Sequence, residues 1–406
     1  MLVVPRRVLI LVENLPSPFD RRVWQKATTL RDAGYAVSII CPTGRGCEQR
    51  YEIIEGIHLW RYSLPTEGRG PVGYALEYSA ALAKSFWLSL KVCFARGFDV
   101  VHACNPPDLF FLIGGFYKLF GKKFVFDHHD ANPELYEAKF GRRDLFWKLM
   151  RWLERSSFRL ADVSIARNES YRRIAIQRGG MPQERVFVVR SGPSLERMKI
   201  GPADERLKKG KKYLVGYRGA MDKRAGIDLL LRAAKMLVFE YRRKDVHFGL
   251  VGAGTSLVEM QALARELGIA DYVTFTGQVP DEDMLAMLNT ADVCVNPDIA
   301  NAMNEISTMD KVMEYMALGK PIVQFDLAEG RFSAQQASLY ARRNDPRDLA
   351  AKIAQLLDDP QKRRMMGAFG RKRVQEKLEW RCEAPKLLAA YEALWNAAGA
   401  RQQPAI

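Results

Sequence analysis

Ser307, Lys311 and Glu314 are the most informative polar residues of the sequence, because they recur at i, i+4 and i+7 and would share one helix face. The pattern predicts a helix over 307–318, with Ser307 and Asp310 as a Ser-x-x-acid cap. The free N–H groups of a helix N-terminus suit a phosphate, and Lys311 would strengthen that preference. Glu314, further along, could accept hydrogen bonds from neutral hydroxyls such as those of a ribose. An ordinary amphipathic helix in water explains the same pattern.

A glycine pair, Gly252 and Gly254, lies between a predicted strand and a predicted helix. A G-x-G sequence at such a place lets the backbone approach a ligand closely. Leu257 occupies the third glycine position of the dinucleotide-binding pattern, and no acidic residue follows at the spacing typical of NAD binding. A dinucleotide site is therefore disfavoured, and a tight turn is the alternative.

His129 and Asp130 follow the strand predicted at 124–127. A histidine can donate a hydrogen bond or act as a base near neutral pH, and Asp130 could fix its tautomer. Two surface histidines before a capped helix would give the same sequence. His102, at the end of another apolar strand, is more typical of a hydrogen-bonded core residue, with a substrate role as the alternative.

A polar loop precedes the first predicted helix and contains Phe19, Asp20, Arg21 and Arg22. Asp20 could cap this helix through its carboxylate. The two arginines could bind a phosphate at a cleft between domains, or they could simply be solvated.

The chain has 406 residues and predicts two or three domains. Its formal net charge of +15 is uneven, since residues 1–200 hold 31 Lys and Arg against 20 Asp and Glu. This surplus favours an anionic partner of the first half: a membrane surface, a phosphorylated substrate or nucleic acid. The six cysteines have no C-x-x-C pair, and the cysteines and histidines show no zinc spacing, which predicts reduced thiols. No signal peptide is visible, and the longest apolar run, 109–117, is too short to span a bilayer.

The segment 138–178 holds 11 basic and 4 acidic residues. Its basic residues recur every four positions at Arg151, Arg155 and Arg159, beside apolar residues that include Leu149. A basic amphipathic helix of this kind can lie on anionic lipid. A solvated helix packed on its own sheet is the alternative, and nucleic acid is disfavoured because no recognised binding module is present.

Short apolar runs alternate with segments of helical period, which predicts an α/β protein with parallel sheets. Besides a first helix carrying Val23, Ala27 and Leu30, the predicted helices are 74–96, 107–120, 144–160, 168–178, 226–240, 255–267, 281–290 and 307–318, and the chain beyond 346 is helical. The predicted strands are 8–12, 37–41, 100–103, 124–127, 163–166, 186–189, 213–217, 247–251, 273–275, 293–296, 322–325 and 338–340. Residues 191–212 show neither helical nor strand periodicity, which predicts a linker between two doubly wound sheets. Ligands of such folds bind at the carboxyl ends of the strands.

The chain resembles glycosyltransferase family 4, which comprises retaining enzymes of the GT-B fold. The motifs that carry the resemblance follow one another in the order 99–102, 129–130, 251–254, 275–277, 291–293, 311–323 and 359–371. The resemblance implies two Rossmann-like domains that face each other across a cleft. The acceptor domain would comprise 1–195 with the returning last helix, 384–400, and the domain for a nucleotide-activated sugar would comprise 212–383.

The resemblance also implies roles for single residues. Glu314 matches the ribose-binding glutamate, and His129 matches the histidine that contacts the donor sugar. The backbone from Gly277 to Val279 would border the nucleobase. A further family glutamate falls at Ile306, so that Glu305, one residue out of register, is its candidate replacement.

The phosphate-binding Arg and Lys of the family fall at Ala220 and Ala225 in this sequence. Nearby basic residues would replace them, and the predicted donor site also includes two residues at the helix start. This set comprises Arg218, Lys223, Arg224, Lys311, Ser307 and Thr308.

The function implied is a retaining glycosyltransferase without metal or other cofactor. It would move a sugar from a nucleotide-diphosphate sugar to a glycan or polyprenyl-linked acceptor, in assembly of a bacterial-type cell-surface polysaccharide or glycolipid. The expected location is cytoplasmic, at the inner face of an anionic membrane, without nucleic acid as a partner. A non-catalytic membrane-associated scaffold and a sugar-nucleotide epimerase are the alternatives.

Overall fold

The computed structural model describes residues 5–44, 46–64 and 70–399. Residues 1–4 lie outside the described residues. They belong to the N-terminal stretch for which the sequence predicts no signal peptide. The chain divides into two compact units: unit 1 comprises Met1–Ser191 with Glu383–Ile406, and unit 2 comprises Gly192–Cys382. The linker predicted over 191–212 thus belongs almost entirely to unit 2.

Unit 1 is built on an eight-stranded sheet with the order β3-β4-β2-β1-β5-β6-β7-β8. All neighbouring strands are parallel except β3 and β4, which form an antiparallel pair. The strands are β1 (Arg7–Leu11), β2 (Ala36–Pro42), β3 (Tyr51–Ile54), β4 (Ile57–Tyr62), β5 (Val100–Cys104), β6 (Lys123–His128), β7 (Val163–Ala166) and β8 (Val186–Val188). The central strands are mostly apolar and buried, as expected for a parallel sheet covered on both faces, with His102, Asp127 and His128 as buried polar exceptions.

The helices of unit 1 connect these strands. They are α1 (Arg21–Asp32), α2 (Gly70–Ala95), α3 (Phe111–Lys118), α4 (Asn132–Phe140), α5 (Leu145–Leu160) and α6 (Glu169–Arg173). Short 3-10 or π turns lie at Asp108–Phe110, Ile174–Arg178 and Gln183–Arg185. Asp20 caps α1, since its carboxylate accepts hydrogen bonds from the N–H groups of Arg22 and Val23, which confirms the predicted cap.

Unit 2 has a six-stranded, fully parallel sheet with the order β11-β10-β9-β12-β13-β14. The strands are β9 (Tyr213–Arg218), β10 (Val246–Val251), β11 (Val273–Gly277), β12 (Val293–Asn296), β13 (Ile322–Phe325) and β14 (Ser338–Ala341). The helices of unit 2 are α7 (Ile227–Lys235), α8 (Leu257–Glu266), α9 (Asp281–Thr290), α10 (Ala302–Ile306), α11 (Asp310–Ala317), α12 (Ala328–Ala334), α13 (Pro346–Asp358) and α14 (Pro360–Arg373). The last helix, α15 (Trp380–Gly399), belongs to unit 1 from Glu383 onward. Short turns at Glu205–Lys208, Met236–Glu240, Ala270–Tyr272, Gln335–Ala337 and Val374–Leu378 complete the list.

The sequence prediction missed the hairpin of β3 and β4 and the helices α4, α10 and α12. The hairpin turns at Glu55 and Gly56, which both have positive φ, as a two-residue turn of this hand requires. The helix predicted over 307–318 begins only at Asp310, because the separate helix α10 ends just before it.

No helix among the described residues is both long and apolar enough to cross a lipid bilayer.

Candidate functional site

Three neighbouring strands of unit 2 end in glycine-rich loops. The N–H of Gly252 donates a hydrogen bond to the carbonyl of Gly277 (3.0 Å), and the N–H of Gly219 donates to Val251 (3.0 Å). A Cβ atom on Gly252 would lie 2.0 Å from the carbonyl oxygen of Gly219. A Cβ atom on Gly254 would lie 2.5 Å from the carbonyl oxygen of Met221. Close packing of the chain against itself therefore accounts for the predicted G-x-G pair without a ligand.

Gly277 differs from these two glycines. Its φ of +69° favours glycine, yet a Cβ atom there would meet no atom of the described residues within 4 Å. The space beside this turn is open, and the position of the nucleobase here stays a prediction. Val279, two residues on, is half-buried.

The predicted cap of α11 is wrong. The residue preceding the helix is Met309, and it makes no capping hydrogen bond through its side chain. Ser307 follows α10 instead, and its hydroxyl donates to the carbonyl of Met303, four residues earlier (2.7 Å). Thr308 lies between α10 and α11 in the sequence, and its side chain is buried. The intervening helix α10, which the sequence pattern did not reveal, explains why Ser307 is not free to cap.

Glu314 is buried on α11 and lies between two arginines. Arg197 Nη1 donates a hydrogen bond to Oε1 (2.9 Å), and Arg218 Nη1 lies 2.9 Å from Oε2 as an ion pair. The contact to Arg218 lacks hydrogen-bond geometry, so Oε2 has no hydrogen-bond partner within the described part of the chain. Burial raises the pKa of Glu314, and the charges of Arg218 and Arg197 only partly offset this rise. The structure thus brings together two predicted residues, Glu314 and Arg218, and leaves one buried oxygen available to a donor.

Arg197 is a site residue that the sequence did not indicate. It also donates through Nε and Nη2 to the two carboxylate oxygens of Asp281 (2.7 and 3.0 Å), at the start of α9. Because Arg197 lies 117 positions from Glu314 in a segment without regular period, no local pattern could have revealed it.

Lys311 is half-buried, and its ammonium binds both carboxylate oxygens of the buried Asp298 (2.9 and 2.8 Å). Its Nζ lies 5.1 Å from the centre of the Tyr217 ring. Burial lowers the pKa of Lys311, but Asp298 and Tyr217 outweigh burial and the pKa is raised. The charge predicted to face a phosphate is thus already neutralised by an acidic residue. Asp298 follows the carboxyl end of β12, which is the one sequence signal that could have indicated it.

The remaining predicted cations of the donor site differ in exposure. Lys223 is exposed, whereas Arg224 Nη2 donates to the carboxylate of Asp222 (2.8 Å). Glu305 lies on α10, where its carboxylate accepts a hydrogen bond from Arg343 (3.0 Å).

Unit 1 contains a second cluster, centred on Asp127 at the end of β6. Its Oδ2 atom contacts Lys26 Nζ, His129 Nε2 (2.9 Å) and His102 Nε2 (3.0 Å). Lys26 Nζ also lies 3.1 Å from His129 Nε2. The Nδ1 atom of His102 is 2.7 Å from the hydroxyl of Tyr391, which α15 contributes. All five side chains are buried.

The charges of this cluster follow from its burial. Burial lowers the pKa of His129 to about 4, although Asp127 acts in the opposite direction. Burial raises the pKa of Asp127, but His129, Lys26 and the hydrogen bonds from both histidines outweigh it and hold the pKa well below its usual range. At neutral pH the cluster therefore contains a carboxylate and a neutral His129. We assign the proton of His129 to Nε2, where it can donate to Asp127, and this assignment leaves Nδ1 as an acceptor.

One prediction for this region is corrected by the geometry. Asp127, rather than Asp130, contacts the ring of His129, and the carboxylate of Asp130 instead lies 3.8 Å from Arg167 Nη1. Both ring nitrogens of His102 have partners within the core, as expected for the hydrogen-bonded core residue that the sequence favoured over a substrate role.

The polar loop before α1 has both exposed and buried members. Phe19 and Arg21 are exposed, whereas Asp20 is buried as the helix cap. Arg22 is half-buried, with Nε 3.7 Å from Asp20 Oδ1.

One group of side chains has the composition of a metal site. His102, Cys104 and Asp127 bring their ligand atoms within 4.8 Å of one another. However, the ammonium of Lys26 binds the same oxygen of Asp127 and so occupies the place that a metal ion would take. The arrangement is that of a neutralised carboxylate in a core.

Comparison with known proteins supports the division of the chain. A family model described as Glycosyltransferase Family 4 matches residues 20–197, and one described as Glycosyl transferases group 1 matches residues 212–359. A D-inositol 3-phosphate glycosyltransferase of Thermomonospora curvata is 28% identical over 250 residues, which cover 57% of this chain and 57% of the relative. A GDP-mannose-dependent alpha-(1-6)-phosphatidylinositol monomannoside mannosyltransferase of Mycolicibacterium smegmatis is 27% identical over 213 residues, or 48% of this chain and 53% of the relative. The matches thus span little more than half the length of these curated relatives.

Solved structures show the same fold at lower identity. Sucrose-phosphate synthase from Thermosynechococcus elongatus has a TM-score of 0.77 and 19% identity, with coverage of 97% of this chain and 100% of that chain. Anabaena HepE, solved in complex with UDP and glucose, has a TM-score of 0.72 and 16% identity, with coverage of 95% and 99%. The two parallel-sheet units are those of the GT-B fold. The chain belongs to glycosyltransferase family 4.

Proposed function

We propose that the protein is a retaining, metal-independent glycosyltransferase whose donor is a nucleoside-diphosphate sugar. The observation that carries this proposal is Glu314, a buried carboxylate whose Oε2 has no hydrogen-bond partner among the described residues. Arg218 compensates the charge of this oxygen as an ion pair but makes no hydrogen bond to it, and the hydroxyls of a ribose would supply that hydrogen bond. Family membership supports the same assignment.

The diphosphate would bind beside Glu314, where α11 begins. Cleavage of the sugar–phosphate bond develops negative charge on the leaving group, and donors that already point at it stabilise that charge without reorganisation. Arg218, Lys223 and the first N–H groups of α11 are the candidates, with Lys311 sharing its ammonium between Asp298 and the phosphate. These groups supply the charge that a metal ion supplies in other transferases. The acidic run from Asp281 opens α9, and Asp281 itself is held by Arg197.

Retention would follow from attack on the face that the diphosphate leaves. The departing phosphate oxygen would take the proton of the acceptor hydroxyl, so that no separate base is needed. His129, neutral and with Nδ1 as an acceptor, would orient a sugar hydroxyl of the substrate rather than transfer a proton. Glu305, bound to Arg343, would have to exchange that partner to reach a sugar.

The acceptor we propose is a glycan or polyprenyl-linked glycan at the cytoplasmic face of a membrane. Two relatives are named for phosphorylated or lipid-linked inositol acceptors. The basic surplus of residues 1–200 suits such an anionic acceptor. The product would then enter a cell-surface polysaccharide or glycolipid.

Incubation of the purified chain with UDP-, GDP- and ADP-sugars, with and without a membrane lipid extract, tests the proposal. We expect extract-dependent release of one nucleoside diphosphate, with rates unchanged by EDTA and a product of the donor's anomeric configuration by NMR. An inverted product would overturn retention, and loss of activity in EDTA would overturn metal independence. Conversion of the sugar nucleotide without extract would indicate an epimerase, and binding without turnover would indicate a scaffold.

A further inference from the structure

The helices α2, α3 and α5 form one continuous layer on unit 1. They connect β4 to β5, β5 to β6 and β6 to β7, which all step in the same direction across the sheet. Right-handed crossovers in one direction place their helices on one face of the sheet. Ring contacts join the layer: Phe86 of α2 lies 5.1 Å from Phe116 of α3, and Phe111 of α3 lies 6.3 Å from Trp152 of α5.

This layer exposes an unusual amount of apolar surface. Of the 20 large apolar side chains that are exposed within the described chain, ten belong to this layer and its immediate ends. They are Leu76, Trp87, Phe94, Leu112, Leu119, Phe120, Leu145, Phe146, Leu149 and Trp152. Scattered single exposures are normal, but a concentration on one layer marks an interaction surface.

The fully exposed charged residues of the same segment are all basic, although Arg142 and Arg143 pair with the half-buried Asp144 and Glu137 (2.9 Å each). No acidic side chain is exposed among residues 76–160, all of which the structure describes, since each is buried or half-buried. The exposed basic residues are Lys91, Arg96, Lys139, Arg142, Arg143, Lys148, Arg151, Arg155 and Arg159. The partner of this surface is therefore anionic.

The arrangement on α5 shows how both features are presented. Leu145, Leu149 and Trp152 recur at i, i+4 and i+7 and share one exposed stripe. Arg151 and Arg155 belong to an exposed basic stripe beside it. The buried residues of α5, which include Glu154 and Phe158, lie on the opposite side. The apolar stripe thus faces away from the core of unit 1.

We propose that the α2–α3–α5 face docks on an anionic lipid surface. Leucine and aromatic side chains would enter the boundary between headgroups and acyl chains, while the arginines and lysines would bind lipid phosphates. A nucleic acid would neutralise the charges but would not bury outward-facing leucines of this kind. This docking site rests on the proposed function, because it would bring the chain to a membrane-bound acceptor. Lipid binding itself can be measured without any sugar transfer.

Flotation with vesicles of phosphatidylcholine alone or with one third phosphatidylglycerol tests this face in the full chain. Two variants, Leu149→Gln/Trp152→Gln and Arg151→Gln/Arg155→Gln, remove the apolar and the basic stripe. Matched controls in unit 2 are Val258→Gln/Met365→Gln and Arg364→Gln/Lys377→Gln, which change exposed residues of the same types. All of these positions are exposed, so the variants should fold.

We expect binding only to the anionic vesicles, weakened by salt. Each removed arginine should lower partitioning about fivefold, so that the basic variant loses about 25-fold, while the controls stay within twofold. The apolar variant should lose at least about tenfold. Equal losses in the controls, or binding to a soluble polyanion but not to vesicles, would overturn the proposal. Nucleotide binding measured on the same samples separates this failure from a failure of the donor site.

Discussion

The Nζ atom of Lys26 lies 3.1 Å from Nε2 of His129, and both atoms contact the same oxygen of Asp127. A carboxylate only accepts hydrogen bonds, so the tautomer of His129 that suits Asp127 carries its proton on Nε2, whereas a hydrogen bond from the ammonium of Lys26 to Nε2 would require the opposite tautomer. We assign the proton to Nε2, because the contact to the carboxylate is the shorter of the two (2.9 Å against 3.1 Å). Asp127 is therefore the positioning residue for His129, and Lys26 binds the same carboxylate oxygen.

Asp127→Asn should disturb this arrangement without removing the histidine. The asparagine can turn its NH2 group toward Nε2, which moves the proton of His129 to Nδ1 and abolishes the acceptor. We expect kcat/KM to fall by about 10–100-fold, because a hydroxyl of the substrate then loses the hydrogen-bond acceptor that orients it. Nitrogen-15 NMR of labelled histidine reports the tautomer directly. An unchanged tautomer with full activity would contradict the positioning role.

The ion pair of the half-buried Lys311 with the buried Asp298 leads to a prediction about stability. Lys311→Met leaves Asp298 buried without its partner, which should cost about 3–5 kcal/mol of unfolding free energy. The double variant Lys311→Met/Asp298→Asn removes both charges and should recover most of that loss. Urea denaturation of the two variants provides the measurement. If the double variant is as unstable as the single one, the two side chains are not coupled as the distances indicate.

The glycines of unit 2 should differ in their tolerance of a side chain. Gly252→Ala places Cβ against the carbonyl of Gly219 and should destabilise the chain by about 3 kcal/mol or more. Gly277→Ala meets open space and should cost only about 1–2 kcal/mol for its positive φ. The second variant should nevertheless weaken nucleotide binding, because the space it fills is where we place the base. Thermal unfolding gives the order of the two costs, and a reversed order would refute the packing explanation.

Much of the fold could be predicted from the sequence because buried parallel strands consist mostly of short apolar runs. The hairpin of β3 and β4 escaped prediction because β3 is a short edge strand with exposed residues, so it lacks that signal. Glu314 and Lys311 could be identified from helical spacing and family resemblance. Their partners Arg197 and Asp298 could not be identified in that way, because tertiary packing brings them from other segments of unit 2. The predicted cap at Ser307 failed for a local reason, since a second helix ends where the cap was expected.

Glu13, which follows β1, should give the chain a distinctive pH dependence. Burial raises its pKa from 4.5 to about 8, with further contributions from the charge and hydrogen bond of Glu77. The native state therefore keeps a proton that the unfolded chain releases. The resulting stabilisation is complete below about pH 4.5 and is lost as the pH rises to about 8, with a slope of up to about 1.4 kcal/mol per pH unit.

Glu13→Gln should remove this slope, because glutamine does not titrate. Urea denaturation between pH 5 and 8.5 measures it, with the exposed Glu259→Gln as the matched control. The control should keep the pH dependence of the wild type. An equal slope in Glu13→Gln would show that Glu13 is already ionised at neutral pH.

The central claim is that Glu314 binds the ribose of a nucleoside-diphosphate donor. Calorimetric titration of UDP, GDP and ADP into the wild type, into Glu314→Gln and into the exposed control Glu376→Gln tests it most directly. We predict binding of one nucleotide by the wild type and by the control. Glu314→Gln should bind it about 10–150-fold more weakly, as expected for a lost hydrogen bond to a charged group. Equal affinity in all three proteins, or no binding of any of these nucleotides by the wild type, would contradict the account.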